Sequence, residues 1–475
     1  MAKKIGIIIG NRRHFEDSIY QSARERILKV LMELKIETVI LEQNDTTKGC
    51  VSNLEEAEEC ARLFKSNKDD IIGILVSLPN FSDERSIANA IRWSELKVPV
   101  LIHAFRDKTD EMQRNTRKDT LWGKISVCNN LRQYGIAFTL TQKHIEDPET
   151  DIFKNDITRF IATCRVTVGM RRLRVGMIGA RPALFNTVRY SEKILENNGI
   201  SVETLDLSEV FNKMTELSDH DENVKLRIVE INQYLGCKTC CDDHAVLKMA
   251  KLLYIIEEYI RMQKLDIISF QCWNILHKEL NISVCALLSI LNNKNISAAC
   301  ETDVTGALAM HALVLAADGP SAIVDWNNNY GDNEDQCVFY HCSNFPKDIL
   351  DDEDAANLPV IAFKSGEEAK NCYGIIEGKI KAGDFTYCRI TTDDVNGCIR
   401  AYVGEGEIMD QALDTYGGYG VARIESMEKL IHYICMNGFE HHVAINRKIV
   451  ADSVYEAFTK YLGWDTYYHM QKNNR

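Results

Sequence analysis

The residues of this chain best suited to chemistry are two carboxylates and a late histidine pair. In ISAACETDVTGAL, Glu301 and Asp303 follow an apolar run and precede a helical stretch that starts near Thr305. In SAIVDWNNNYG the pattern repeats, with Asp325 directly after SAIV. Ligands of α/β sheets gather outside the carboxyl ends of strands, so acids at these two places can converge on one point. NGFEHHVAINRK adds His441 and His442 at the start of a short apolar segment. Adjacent residues of an extended segment point to opposite faces, so one of the pair, His442, is expected to face the acids. Carboxylate oxygens with an imidazole suit a hard divalent cation such as Mg²⁺ or Mn²⁺. His341, at the end of the strand in QCVFYHC, is either a further ligand or a core histidine. Read alone, Asp303 or Thr305 could equally cap the following helix, and the histidine pair could be a surface feature.

An α/β scaffold must hold these groups. Over residues 1–165 the apolar runs KIGIIIG, ETVILEQ, DIIGILVSL and VPVLIHAF alternate with helical stretches over 18–34, 54–64 and 84–91. Short apolar runs separated by helices predict a doubly wound parallel sheet covered on both faces. The pattern restarts at the strand Leu173–Ile178, which leads through a turn into a helix ending near Gly199. It continues through a helix over 245–263, the strand LDIISFQC and a helix from Ser283. A second Rossmann-like α/β domain over 166–321 therefore carries Glu301. From residue 322 to 475 short strands with polar turns take over, as in IEGKIKAGDFTYCRITTD and CIRAYVGEGEI. That texture predicts a mainly antiparallel β domain, closed by helices over Met427–Met436 and 447–461.

A chain of 475 residues exceeds the roughly 250–300 residues at which one core stops growing, so two or three domains are expected. The net charge of −13 and the lack of a basic run argue against nucleic acid as a partner. No stretch approaches the roughly 18 apolar residues of a membrane span, and MAKKIGIIIGNRRHF reads as a first strand rather than a signal peptide. The 16 cysteines are scattered through a large chain, which points to reduced thiols and a cytoplasmic setting. GCKTCCDDH groups Cys237, Cys240, Cys241 and His244, but no second C-x-x-C completes a zinc site. Cys300 beside Glu301 reads as a packing residue. Neither Gly6 and Gly10 nor Gly176 and Gly179 complete a G-x-G-x-x-G, with Pro182 and Phe185 where a helix-opening glycine is needed, which argues against a dinucleotide.

Taken in order, VGMIGARPALFNT, ACETDVTGAL, the Asp325 strand, the His341-Cys342 strand end, FEHHVAI and YLGW resemble the L-fucose/L-arabinose isomerase superfamily, closest to the shorter L-fucose isomerase-like members. The resemblance is clear over 172–464 and looser before it. It implies two α/β domains followed by a largely β one, and an aldose–ketose isomerase of carbohydrate metabolism that works through an enediolate. It also implies Mn²⁺ as cofactor, with Mg²⁺ or Co²⁺ as alternatives. Glu301 and Asp325 fall on the two acidic ligands, which double as the proton-moving groups, and His442 falls on the late histidine ligand. His341 is similar to a further ligand of the arabinose branch. The partners implied are a small sugar and other copies of the chain, in a trimer or hexamer with active sites near subunit contacts. Sugar hydroxyls would then meet Gln271, Trp273 and Asn274 in SFQCWN, while Asn130 and Arg132 of the first domain could serve a neighbour's site or act as helix-end residues. The alternative is a non-catalytic sugar-binding or regulatory protein of the same fold. The far end of the sugar, whether pentose, hexose, deoxy or charged, is decided by loops that sequence does not place.

Overall fold

Eight consecutive buried residues, Ile71–Leu78, show what the apolar runs of the early chain are for: a strand buried on both faces belongs inside a parallel sheet. The computed structural model describes residues 3–42, 49–108, 117–236, 242–272, 275–351, 360–363 and 372–469. It forms two compact units, Met1–Val168 with Glu456–Gly463, and Gly169–Tyr455 with Trp464–Arg475.

The first unit runs β1 (Lys4–Ile9), α1 (Asp17–Glu33), β2 (Thr38–Ile40), α2 (Leu54–Ser66), β3 (Ile71–Leu78), α3 (Glu84–Ser94), β4 (Val100–Ala104), α4 (Thr120–Gln133), β5 (Thr139–Leu140) and α5 (Asp151–Arg171). All five strands are parallel, in the order β2-β1-β3-β4-β5. This is a doubly wound order whose crossovers put helices on both faces. One core gathers round Phe64, Val76 and Ile87, the other round Ile27, Leu75 and Phe160. Asn53 caps α2 by accepting from the Glu56 N–H, and the Glu56 carboxylate returns to the Ser52 N–H at 2.7 Å, so donors left over at the helix start are satisfied.

Fully buried His103 on β4 gives this unit a sensitivity to acid. Its Nε2 lies 2.7 Å from the Glu146 carbonyl, which can only accept, so Nε2 carries the proton and Nδ1 accepts from the Ser77 hydroxyl at 3.0 Å. Burial, only partly offset by that carbonyl, pushes the ring's pKa down to about 3. A ring held neutral when folded contributes stability above its unfolded pKa of about 6.5 and loses it as pH falls toward the folded value. Each pKa unit corresponds to about 1.4 kcal/mol. The urea midpoint of the wild type is therefore expected to fall more steeply between about pH 7 and pH 5 than that of His103→Gln; parallel pH profiles would remove His103 as the cause.

The second unit opens with β6 (Leu173–Ile178), α6 (Glu192–Asn197), β7 (Ile200–Leu205), α7 (Leu207–Glu216), α8 (Glu222–Leu235), α9 (Asp243–Gln263), β8 (Ile267–Phe270), α10 (Ile275–Leu280), α11 (Cys285–Asn293), β9 (Ala298–Cys300) and α12 (Val304–Ala317). The strands form a parallel sheet, β7-β6-β8-β9. Then come β10 (Ser321–Tyr330), β11 (Asn333–His341), β12 (Val360–Phe363), β13 (Cys372–Ile376), β14 (Gly378–Lys379), β15 (Gly383–Asp393), β16 (Cys398–Met409), β17 (Gly418–Arg423), α13 (Met427–Met436), β18 (His442–Asn446), α14 (Ala451–Glu456) and β19 (Asp465–His469). Their main sheet runs β14-β17-β11-β10-β18-β15-β16-β19, and a further β16–β17 pairing closes the six strands from β17 to β16 into an antiparallel ring. The fold is thus α/β with parallel sheets early and a mixed sheet late. Strands β12 and β13 pair as a separate two-stranded antiparallel sheet, and the parallel sheet and the ring share one core, in which Phe270 and Leu288 join Phe339, Phe385 and Tyr387. Helix α12 is apolar almost all round and accordingly buried on nearly every side.

Two local expectations are corrected, the end of the Asp325 strand and the helix over 447–461, and a third is refined. The helix expected near Gly199 is shorter than its sequence stretch suggests: α6 ends at Asn197 and is reached through a 3₁₀ turn, Asn186–Val188. Asp325 does not end its strand, because residues as far as Tyr330 stay extended by pairing with β11. The helix expected over 447–461 is the short α14 and a wide turn over Ala457–Leu462, in which the Tyr461 hydroxyl meets Thr139 Oγ1 at 2.7 Å. After it, DTYYH pairs in parallel with β16, so the described chain closes on a strand rather than a helix. Among the described residues no helix is long and apolar enough to cross a membrane.

Candidate active site

Strand β9 delivers Glu301 to the edge of the second unit's parallel sheet, and the backbone there is unusual. Glu301 and Thr302 take φ of 62° and 56°, a left-handed conformation that costs a non-glycine residue roughly 1–3 kcal/mol. Two such residues in succession bend the chain sharply between β9 and α12. Asp303 then caps α12, its Oδ1 accepting from the Gly306 N–H at 2.8 Å. Glycine is required at 306, since a Cβ there would stand 2.3 Å from Asp303 Oδ2 and 2.4 Å from Ile323 Cδ1.

The other groups come from neighbouring strands of the ring. Asp325 on β10 and His442 on β18 are direct cross-strand partners, so their side chains share one face of the sheet. His442 Nε2 lies 3.1 Å from Glu301 Oε2 and 3.3 Å from Asp325 Oδ1, while its Nδ1 lies 2.8 Å from Asp303 Oδ2. A carboxylate can only accept, so Nδ1 carries a proton and the ring is oriented with Nε2 toward the two acids. His441 does not point away as alternation required, because β18 begins only at His442; its Nε2 is 3.6 Å from Asp325 Oδ1. His341, 2% exposed, belongs to the same group, with ligand atoms of Glu301, His341 and His442 all within 4.8 Å of one another.

Behind these residues lies a buried charge network that sequence reading missed. Arg389 on β15, with no exposed surface, binds Asp303 through two nitrogens at 2.5 and 3.0 Å, Thr305 Oγ1 at 2.9 Å and Glu440 at 3.0 Å. Glu440 also accepts from the Thr391 hydroxyl at 2.7 Å. Although burial opposes its charge, Asp303 is held well below the usual carboxylate range by Arg389 and His442. Burial likewise opposes a charge on His442, yet the hydrogen bonds to Asp303 and Glu301 outweigh it and raise the ring's pKa to about 10. The Nε2 position thus holds either a proton shared with the acids or, deprotonated, a lone pair for a cation.

The donor set fits a divalent cation. It offers carboxylate oxygens and imidazole nitrogen at the hard to borderline end of ligand softness. Asp325 Oδ1 is buried and takes no hydrogen bond among the described residues, which leaves a lone pair facing the others.

A cleft of about 660 Å³ lies beside the group, lined among others by Gly179, Arg181, Arg189, Tyr190, Thr302, Thr391 and Glu440. From the same loop Phe185 sets its ring against His441 and His442, with centroids 5.5 and 5.9 Å away. Gln271, expected as a sugar contact, accepts from the Ala180 N–H at 2.8 Å and so braces this loop. Trp273 and Asn274 lie outside the described residues, as do Cys237, Cys240 and Cys241; His244 opens α9 with its N–H bonded to Asp242. Asn130 and Arg132 lie on α4 of the first unit, Asn130 donating to the Ser126 carbonyl and Arg132 exposed. Two signals for the missed network were present: Asp303 and Glu440 each stand two residues from a member of the site, and an arginine interrupts the apolar alternation of β15.

Residues 6–171 match the N-terminal domain of the fucose/sulfoquinovose isomerases, and residues 339–469 the C-terminal domain of L-fucose isomerase. Among curated proteins, the sulfoquinovose isomerase of Priestia aryabhattai is 22% identical over 298 residues, 62% of this chain and 63% of that protein. That of Alkalicoccus urumqiensis is 21% identical over 388 residues, 79% of this chain and 81% of that protein. The match to the Priestia relative therefore spans somewhat less than two thirds of its length. Among solved structures, a periplasmic solute binding protein of Actinobacillus succinogenes 130z with bound D-allose aligns at 10% identity over 67% of this chain and 92% of that one, with a TM-score of 0.17, too slight a likeness to bear on fold or ligand. With isomerase domains matched at both ends of the sequence, flanking the segment that supplies Glu301 and Asp325, the chain belongs to the L-fucose isomerase-like superfamily.

Proposed function

We propose that this protein is a divalent-metal-dependent aldose–ketose isomerase, with Mn²⁺ as the cation and a hexose bearing a sulfonate at C6 as the substrate. The observation that carries the reading is the placement of His442 Nε2 at 3.1 and 3.3 Å from two carboxylates that arrive from different elements. The sulfonated substrate is taken from relatives named as sulfoquinovose isomerases, whose activity also weighs against the non-catalytic alternative.

When bound, the cation supplies positive charge next to the oxygens that become negative as the enediolate forms. Glu301 and Asp325, arriving from two different elements, are the groups that would take the proton from C2 and return it at C1. His442 and the two acids would hold the cation, with His341 beside them. Asp303 fixes the His442 ring through Nδ1, and Arg389 keeps Asp303 charged so that it does not take the proton itself. The Phe185 ring packs against His442, which is 1% exposed, while His441 stays open to solvent. Hydroxyls of Tyr190, Thr302 and Thr391 suit the sugar's own hydroxyls. Arg181, held by its Nη1 on the Pro182 and Phe185 carbonyls, and Arg189 line the cleft and offer charge-assisted hydrogen bonds to the sulfonate.

The test is direct. Protein stripped with a chelator, refilled with Mn²⁺ and given sulfoquinovose in D₂O is expected to exchange the C2 proton and form the 2-keto isomer, with the rate falling at least about 100-fold on stripping. Turnover of a neutral aldose but not of sulfoquinovose would move the substrate while keeping the reaction. A Mn²⁺-loaded protein that exchanges no proton in a broad aldose panel would remove the isomerase reading.

A further inference from the structure

Directly behind the carboxylate–histidine group lies a concentration of sulfur that the isomerase chemistry does not use. The Sγ atoms of Cys285, Cys300 and Cys342 all lie within 4.8 Å of one another, with Cys285 and Cys342 3.9 Å apart. Cys272 meets Cys300 from another side. All four are free thiols. They come from four separate segments: after β8, the first residue of α11, the last residue of β9 and the residue after β11.

Two features favour the ligand form of the sulfur. Cys285 opens a nine-residue helix, where the peptide dipoles stabilise a thiolate. The Ser283 hydroxyl also donates to its Sγ at 3.0 Å. The spacing points the same way: a cation about 2.3 Å from each of three sulfurs in a plane needs sulfurs about 4.0 Å apart, against 3.9 Å between Cys285 and Cys342. Cys285 and Cys300 are fully enclosed, whereas Cys342 is partly exposed and gives the route in.

We infer that Cys285, Cys300 and Cys342 form a binding site for a soft, thiophilic metal cation. Soft thiolates select such ions over the hard cations favoured by oxygen ligands, so the two adjacent sites differ in what they accept. Each thiol that becomes a ligand releases its proton to solvent. Cys300 and Cys342 directly adjoin Glu301 and His341 in the chain, so an ion on the sulfurs pins the backbone that carries two members of the neighbouring group. The inference does not rest on the isomerase reading, and its test needs no turnover.

The experiment uses the full-length reduced protein under anaerobic conditions, with Cys237, Cys240 and Cys241 changed to Ser to remove the other thiol group, and Cd²⁺ alone as the probe. One equivalent is expected to bind with a thiolate-to-cadmium charge-transfer band, and X-ray absorption should count three sulfur neighbours. Cys285→Ala should weaken binding by more than the 10–100-fold typical of losing an outer partner of a metal ligand. Cys60→Ala, which removes a buried thiol of the first unit, should leave it unchanged, and Glu301→Gln should retain the band. If Cys285→Ala does not fold, Cys342→Ala takes its place. Absence of the band in the triple-Ser protein, or its survival in both Cys285→Ala and Cys342→Ala, overturns the inference.

Discussion

Glu301→Gln is expected to lower isomerase turnover by about 10³-fold or more while the far-ultraviolet circular dichroism and the thermal midpoint stay near those of the wild type. Glutamine reproduces the shape and reach of the side chain, so the left-handed turn at residues 301 and 302 and the packing around it are retained. Two things are lost together. The neutral amide has no basic oxygen to receive a proton from carbon, and positioned general bases are worth about 10²–10⁴-fold. The site also loses one of the two anions facing His442 Nε2, which weakens its hold on a divalent cation. Turnover at saturating Mn²⁺, measured beside the metal content of the same sample, separates these effects. Wild-type rates in a fully loaded Glu301→Gln protein would take Glu301 out of the chemistry.

Arg389→Met should produce the largest loss of stability of any single change in the second unit, about 3–5 kcal/mol. The guanidinium has no exposed surface and is the counter-charge for both Asp303 and Glu440, themselves 0% and 5% exposed. Methionine fills much of the volume and leaves two carboxylates without it in a medium that penalises an uncompensated charge heavily. His442 would lose its orientation as well, because Asp303 shares one oxygen between Arg389 Nη1 and His442 Nδ1. The urea midpoint measures the effect. Pairing Arg389→Met with Asp303→Asn should recover part of the loss, since one of the stranded charges is removed; a single-variant loss under about 1 kcal/mol would mean that the network is solvated rather than buried.

What could be read from the sequence divides along a physical line. Apolar runs such as IIGILVSL report burial on both faces, and burial on both faces is a property of one strand, so the parallel sheets were legible. Glu301, Asp325 and the histidine pair stood out because a polar group beside an apolar run is a local anomaly. The contribution of Arg389 was not legible: it sits in TYCRITTD, and its carboxylate partners Asp303 and Glu440 lie 86 and 51 residues away. The one local trace is an arginine that interrupts the apolar alternation of its strand, and that trace does not say which carboxylates it meets. The closure of the ring was hidden for the same reason, since the β16–β17 pairing depends on which strands meet and not on how any one of them is patterned. The shared core of the two sheets is equally a product of packing. Asp303 was seen, but only for its helix cap; its second oxygen, turned toward His442, required the fold.

The cross-strand pairing of Asp325 with His442 has a mechanical consequence. The hydrogen-bonded ladder carries the two residues as a single body, so breathing or twisting of the sheet displaces both and leaves the gap between them almost constant. Glu301 belongs to a different layer and rides on a turn of two left-handed residues, outside that ladder. Tightening of the site around whatever it holds is therefore the approach of one side chain to a pair that moves as one.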